Sequence, residues 1–120
     1  MNEAATPLII VEGSNDRRRL RRVLPESVPI ALTYGIPSPD RLQELERLAR
    51  HRPVIIMTDA DATGRRIRGI LAEVFPDAVH LHTKRGYGGV EHTPLDFLEA
   101  KMRAIGLLDA ADTIDETFRP

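Results

Sequence analysis

The chain has 120 residues, 42% of them hydrophobic, no Cys and a formal charge of −1, enough to bury the core of a single domain. Zero Cys excludes disulfides and thiolate-held zinc, and the near-neutral total gives no global pull toward a polyanion. No apolar run is long enough to span a bilayer, and Met1-Asn2-Glu3-Ala4-Ala5-Thr6-Pro7 lacks the basic start and apolar stretch of a signal peptide, so a cytoplasmic protein is expected.

Leu8–Glu12 reads as a short apolar strand that ends in an acid. Asp16–Leu24 reads as a helix with Asn15 or Asp16 as its cap and Pro25 near its stop. Within it, residues 17–22 hold five Arg in six positions, a basic face inside a neutral total. Val28–Thr33 is a second strand. Pro39–Arg50 is a helix with Ser38 as N-cap, Pro39 at the first position and Leu42, Leu45, Leu48 and Ala49 along one face. Val54–Thr58 is a third strand, whose Val, Ile, Ile and Met suit burial on both faces. Thr63–Val74 is the next helix, with Ile67, Ile70, Leu71 and Val74 inward and Arg65, Arg66 and Arg68 mostly outward. Ala78–His82 is a fourth strand, Tyr87–Gly89 a loop, and Thr93 or Pro94 opens a last helix that runs to about Ile105. The segment from Asp109 fits either a helix or a frayed end. No repeat or linker divides the chain, so residues 1–120 form one domain, with its core at about 8–105 and an acidic tail at 106–120.

Strands alternating with helices predict an α/β fold of βαβ units, with a central, mainly parallel sheet of about four strands flanked by helices. Ligands of such open sheets sit beyond the carboxyl ends of the strands. Glu12 ends the first strand, and Asp59 and Asp61 follow the third, so all three acids are expected over one edge. Residues two apart in an extended strand point the same way, so Asp59 and Asp61 share one site if the extension persists. Two like charges about 4 Å apart repel by roughly 4 kcal/mol at an effective dielectric of 20. A divalent cation is the simplest compensation, and a carboxylate-only donor set without Cys suits Mg²⁺ or Mn²⁺.

Taken alone, Glu12-Gly13 is an ordinary strand-to-helix turn, with Gly13 free for a positive φ or a close phosphate. Joined to Asp59-Ala60-Asp61 and Gly64, it resembles the Toprim domain, the metal-binding module of topoisomerases, primases and several nucleases. The resemblance covers about residues 8–105. It sharpens at Gly89-Val90-Glu91-His92 and at Thr58-Asp59-Ala60-Asp61 with Gly64, Arg66, Ile67 and Arg68. There the chain is similar to small stand-alone Toprim proteins and to the Toprim domain of the ribonuclease that matures 5S ribosomal RNA.

The resemblance implies a compact Rossmann-like Toprim fold and a Mg²⁺-dependent, endonuclease-like hydrolysis of nucleic-acid phosphodiesters, with structured RNA as the partner. Asp59 and Asp61 are then metal ligands and catalytic, with Glu12 a further ligand or the acid/base near the scissile oxygen. Gly13, Asp16, Arg17, Gly64, Arg65, Lys84, Glu91 and His92 fall on the substrate side. Ser14 stands where the ribonuclease carries a basic residue, and Arg17 or Arg18 is the substitute one turn into the helix. That ribonuclease's further C-terminal RNA-contacting region is not expected here, which leaves room for an accessory protein supplying recognition. Only Tyr34 and Tyr87 are available as Tyr nucleophiles and no second domain is expected, so water is the expected nucleophile.

Other readings carry their own signals. By spacing alone, Glu91-His92 is a loop before a helix, with His92 on a backbone carbonyl. His80 and His82 share a strand face and suggest zinc, but with no third ligand in phase they read as partly exposed strand residues. Lys84-Arg85-Gly86-Tyr87-Gly88-Gly89 fits either a flap over phosphate or a plain connection. An aromatic content of 4% argues against a base-stacking platform. Asp59-Ala60-Asp61-Ala62-Thr63 also fits the Asp-x-Asp-x-Thr of haloacid-dehalogenase-type phosphatases, though that motif normally opens its domain and would leave Glu12 without a role. A non-catalytic, metal-dependent binding module is the alternative outside enzymes. A Walker-type nucleotide site is absent.

Overall fold

The computed structural model of the chain describes residues 6–82 and 89–107. Four strands, β1 (Leu8–Val11), β2 (Ile30–Leu32), β3 (Val54–Thr58) and β4 (Val79–His82), form one sheet in the order β2-β1-β3-β4. Every pairing is parallel, with Ile9 opposite Ile30 and Ile55, and Ile56 opposite His80. The helices are α1 (Ser14–Leu20), α2 (Pro39–Leu48), α3 (Ala62–Val74) and α4 (Leu95–Ala104), and a 3₁₀ turn covers Val90–His92. This is the α/β fold with a four-stranded parallel sheet expected from the alternation of elements. Among the described residues, no helix is long and apolar enough to cross a membrane.

The two central strands, Leu-Ile-Ile-Val and Val-Ile-Ile-Met-Thr, are buried at every position, because helices cover both sheet faces. Side chains alternate between two cores. Ile9, Val11, Leu32, Ile55 and Met57 pack with Leu20 of α1 and with Leu98 and Met102 of α4. Leu8, Ile10, Ala31, Val54 and Ile56 pack with Leu45 of α2 and with Ile67 and Leu71 of α3. The chain thus leaves β1 toward one edge of the sheet and later adds β3 and β4 on the other side. The switch in direction falls between β1 and β3, where Glu12 and Asp59 emerge.

Four local expectations are corrected. The α1 helix ends at Leu20 rather than Leu24, and the chain tightens into turns in which the Arg22 and Val23 N–H groups donate to the Arg19 and Leu20 carbonyls. Leu24 stays buried all the same, with its N–H on the Leu20 carbonyl. The N-cap of α1 is Gly13, and Asp16 sits at the third helical position, where its Oδ2 accepts the Gly13 N–H at 3.1 Å. Leu48 is 50% exposed, since it lies nearly a quarter-turn off the face centred on Leu42, Leu45 and Ala49. Arg68 does not point outward. It reaches back along the sheet, donating to the Thr58 and Leu81 carbonyls at 3.2 and 2.7 Å. Ser38, by contrast, caps α2 as expected, accepting the Arg41 N–H at 3.1 Å.

Candidate functional site

The carboxyl ends of β1 and β3 carry the acids. Glu12 follows β1 directly, and its carboxyl is raised above the usual carboxylate range. Partial burial is the main cause, followed by the negative charges of Asp59, Asp16 and Asp61. Asp16 is only 9% exposed and is raised by burial and then by Asp59, against the lowering effect of its bond from Gly13. The acids therefore sit in one another's fields, with Asp16, placed on the substrate side by the resemblance, a member of the acidic cluster itself.

Asp59 is held from across the chain. Its Oδ1 accepts the Val90 N–H at 3.0 Å, and Gly89, at φ 97°, lies directly over the carboxylate. A Cβ at Gly89 would fall 2.7 Å from Asp59 Cγ and Oδ1, so only glycine fits there in either conformation or space. The loop is tied down in turn. Thr93 Oγ1 donates to the Gly89 carbonyl at 2.6 Å, and Arg19 donates through Nε and a terminal nitrogen to the Thr93 carbonyl at 3.1 and 2.8 Å. Arg19 thus links α1 to the loop that positions Asp59. The sequence marks Gly89 as part of the Gly89-Val90-Glu91-His92 stretch but shows neither its contact with Asp59 nor the tie that Arg19 makes to the same loop.

Asp61 takes a different direction. The extension of β3 stops at Thr58, and Asp61 turns to cap α3, its Oδ1 accepting the Gly64 N–H at 2.7 Å. The simple i, i+2 geometry of a continuing strand does not apply. Gly64 is buried, and a Cβ there would lie 2.1 Å from the Asp59 carbonyl oxygen, so its place is in the packing of α3 against β3. Arg65 is exposed, donating to the Ala60 carbonyl at 2.9 Å. Gly13 has an ordinary extended φ of −144° and open space where a Cβ would stand, which leaves the close-approach role and removes the positive-φ one. Arg17, Glu91 and His92 are exposed, and Lys84 lies outside the described residues, as does the 84–88 part of the flap segment and the tail from 108.

The Glu12 carboxylate and the Oδ2 atoms of Asp59 and Asp61 accept no hydrogen bond among the described residues. Three hard oxygen donors thus remain free in a mutually repelling acidic cluster, which fits the chemistry of Mg²⁺ or Mn²⁺. Among the described residues, no three His, Cys, Asp or Glu side chains converge tightly enough to hold an ion as they stand. His80 does not offer a zinc site. The Arg68 guanidinium approaches its Nδ1 at 3.0 Å, and burial and that charge lower the proton affinity of both His80 and His82.

Beside the acids, Asn15, Arg18, Arg19 and Arg22 line one face of the α1 segment and form a cleft of about 210 Å³ with Glu91. A larger cavity, about 340 Å³, lies at the opposite edge between Pro53 and Ala78, where no acid cluster meets it.

Residues 7–88 match the sequence model of the Toprim domain. The chain belongs to the Toprim family. The solved structure of a small Toprim-domain protein from Bacillus stearothermophilus superposes with a TM-score of 0.76 at 33% identity, covering 85% of this chain and 90% of that one. YusF, an uncharacterised protein of Bacillus subtilis, is 38% identical over 87 residues, 72% of this chain and 60% of its own. Ribonuclease M5 of Lactococcus lactis is 33% identical over 107 residues, 82% of this chain and 51% of its own. The Toprim chain thus spans about half to three-fifths of these curated relatives.

Proposed function

We propose that this Toprim domain is a divalent-metal-dependent phosphodiester hydrolase acting on nucleic acid, with structured RNA as its substrate class. The observation that carries the reading is the emergence of Glu12 and Asp59 from the two strands that flank the switch point of the sheet, with the Arg-lined cleft alongside. Open α/β sheets bind their ligands at that point. The similarity to ribonuclease M5 supports RNA over DNA.

Asp59, Asp61 and Glu12 are the residues that would hold the ion. When bound, it polarises the phosphorus and stabilises charge on the attacking and leaving oxygens. Asp59 is preset for this by Val90 and Gly89, which fix one carboxylate oxygen and leave the other free. Glu12, with its proton affinity raised by burial and neighbouring acids, is suited to exchange a proton with water or with the leaving oxygen. Arg18 and Arg22 grip backbone phosphates from the cleft, a contact that carries no base sequence.

The test is a cleavage panel of structured RNA, single-stranded RNA and duplex DNA with Mg²⁺, Mn²⁺ or EDTA. RNA cleavage with Mg²⁺ that EDTA and Asp59→Asn both abolish is the expected result; undiminished cleavage by Asp59→Asn removes that residue from the mechanism. A second reading, a binding module without turnover, draws on the incomplete convergence of the acids among the described residues. Metal-dependent RNA binding with no cleavage under any condition would favour it. The haloacid-dehalogenase alternative gains nothing from the site, since its Asp61 is engaged as a helix cap.

A further inference from the structure

An aromatic side chain stands at the same rim as the acids. Tyr34 follows β2, and its N–H donates to the Glu12 carbonyl at 2.9 Å, one rung beyond the bond from Thr33 to Val11. Its side chain is 68% exposed, the most exposed large hydrophobic among the described residues. Its backbone is left-handed, at φ 59°, a conformation that crowds a Cβ against the backbone and that residues other than glycine rarely adopt. The adjoining Thr33 hydroxyl is buried with no hydrogen-bond partner among the described residues. Two successive residues are therefore held at a cost that the sheet does not require, beside the proposed reaction centre.

The ring is also backed. The Arg41 guanidinium lies 4.8 Å from its centroid, within cation–π range. That guanidinium is itself fixed, its Nε donating to the Leu32 carbonyl at 2.7 Å and a terminal nitrogen to Glu44 at 2.8 Å. An exposed ring held still by a cation has little rotamer freedom to lose on binding. The ring thus rests on an α2 side chain and remains largely open to solvent.

We propose that Tyr34, braced by Arg41, is a stacking platform for one unpaired nucleobase of the strand whose phosphate lies at Glu12. The proposal rests on the nucleic-acid reading above and sharpens it: the substrate is a strand with an unstacked base next to the scissile bond, not a continuous duplex. An aromatic face accepts any base, so the platform selects unpaired structure rather than sequence. The low aromatic content of the chain argued against such a surface, but one ring at the right corner suffices for one base.

The experiment uses a short single-stranded RNA carrying one 2-aminopurine, and the same RNA annealed to its complement, with Ca²⁺ replacing Mg²⁺ to prevent turnover. Stacking on Tyr34 quenches the 2-aminopurine, so wild type and Tyr34→Phe quench the strand. Tyr34→Leu abolishes the quench and weakens strand binding about tenfold, with duplex binding and melting temperature unchanged. Equal quenching and affinity for Tyr34→Leu and wild type would overturn the platform and leave the nucleic-acid reading intact. Equal loss on strand and duplex would also overturn it, because the ring would then be a general contact. No binding of any RNA or DNA by wild type would remove both readings.

Discussion

The Asp59 carboxylate and the Val90 N–H meet at 3.0 Å across 31 residues of sequence, with Gly89 pressed against the same carboxylate. The Asp59 side chain is thus oriented by backbone from another part of the chain. Gly89→Ala is expected to fail on two counts, an added Cβ 2.7 Å from Asp59 and a φ of 97° that alanine rarely adopts. A loss of about 1–3 kcal/mol in urea unfolding is expected, together with loss of metal-induced stabilisation. Unaltered metal response in a folded Gly89→Ala would show that Asp59 needs no such fixing.

Gly64→Ala addresses the other side of the same residue. Here the neighbour is backbone, the Asp59 carbonyl at 2.1 Å from the notional Cβ, and α3 must shift bodily to admit the methyl group. Alanine normally stabilises a helix interior relative to glycine by about 1 kcal/mol; here the sign reverses, with destabilisation of about 3 kcal/mol. Gly69, on the same helix with open space around it, is the control, and Gly69→Ala is expected to raise the melting temperature.

How far the sequence reveals this site depends on the range of the interaction. The Ile-Ile-Met run and the acids at its end were legible because burial on both faces and strand termination are local. Ser38-Pro39 announced the start of α2 for the same reason. The cap of α1 falls at Gly13 instead of Asn15 or Asp16 because the helix starts two residues earlier than the Arg run suggests, and the field of Asp59 on Asp16 depends on the β1–β3 pairing, which no local pattern states. Asp61 was expected to stay in line with Asp59, but capping the α3 N–H groups outweighs a further extended residue. Arg68 was placed outward by helical phase alone. Its length lets it curl to carbonyls at the ends of β3 and β4, and periodicity does not encode that reach. Tyr34 was invisible for a different reason: its significance lies in a positive φ and a neighbouring guanidinium, neither of which composition can show.

His80 and His82 give the fold a pH dependence with a defined sign. Both have folded proton affinities lowered by burial and by Arg68. Their contribution is fully present above the unfolded value of 6.5 and is lost as pH falls through the folded values. Glu12 and Asp16 are shifted the other way and favour the fold as pH drops toward their ordinary range. The two effects separate in a variant. His80→Gln is expected to flatten the decline in melting temperature between about pH 7 and pH 5 relative to wild type. A wild-type slope identical to that of His80→Gln would mean that His80 titrates normally in the fold.

Glu12→Gln separates the cost of the acid cluster from its use. In the metal-free protein at pH 7, a partly buried carboxylate repelled by Asp59, Asp16 and Asp61 works against folding, and its neutral isostere relieves that repulsion. The variant is therefore expected to melt higher than wild type in EDTA. Adding Mg²⁺ raises the wild-type melting temperature through binding to the native state, by an amount that grows with the logarithm of metal concentration. Glu12→Gln loses most of that rise, so the order of stability reverses between EDTA and millimolar Mg²⁺. Asp16→Asn is expected to share the first effect and keep the second, because Asp16 already spends an oxygen on Gly13 and is buried. If both variants respond to Mg²⁺ as wild type does, Glu12 holds no ion and the cation binds elsewhere.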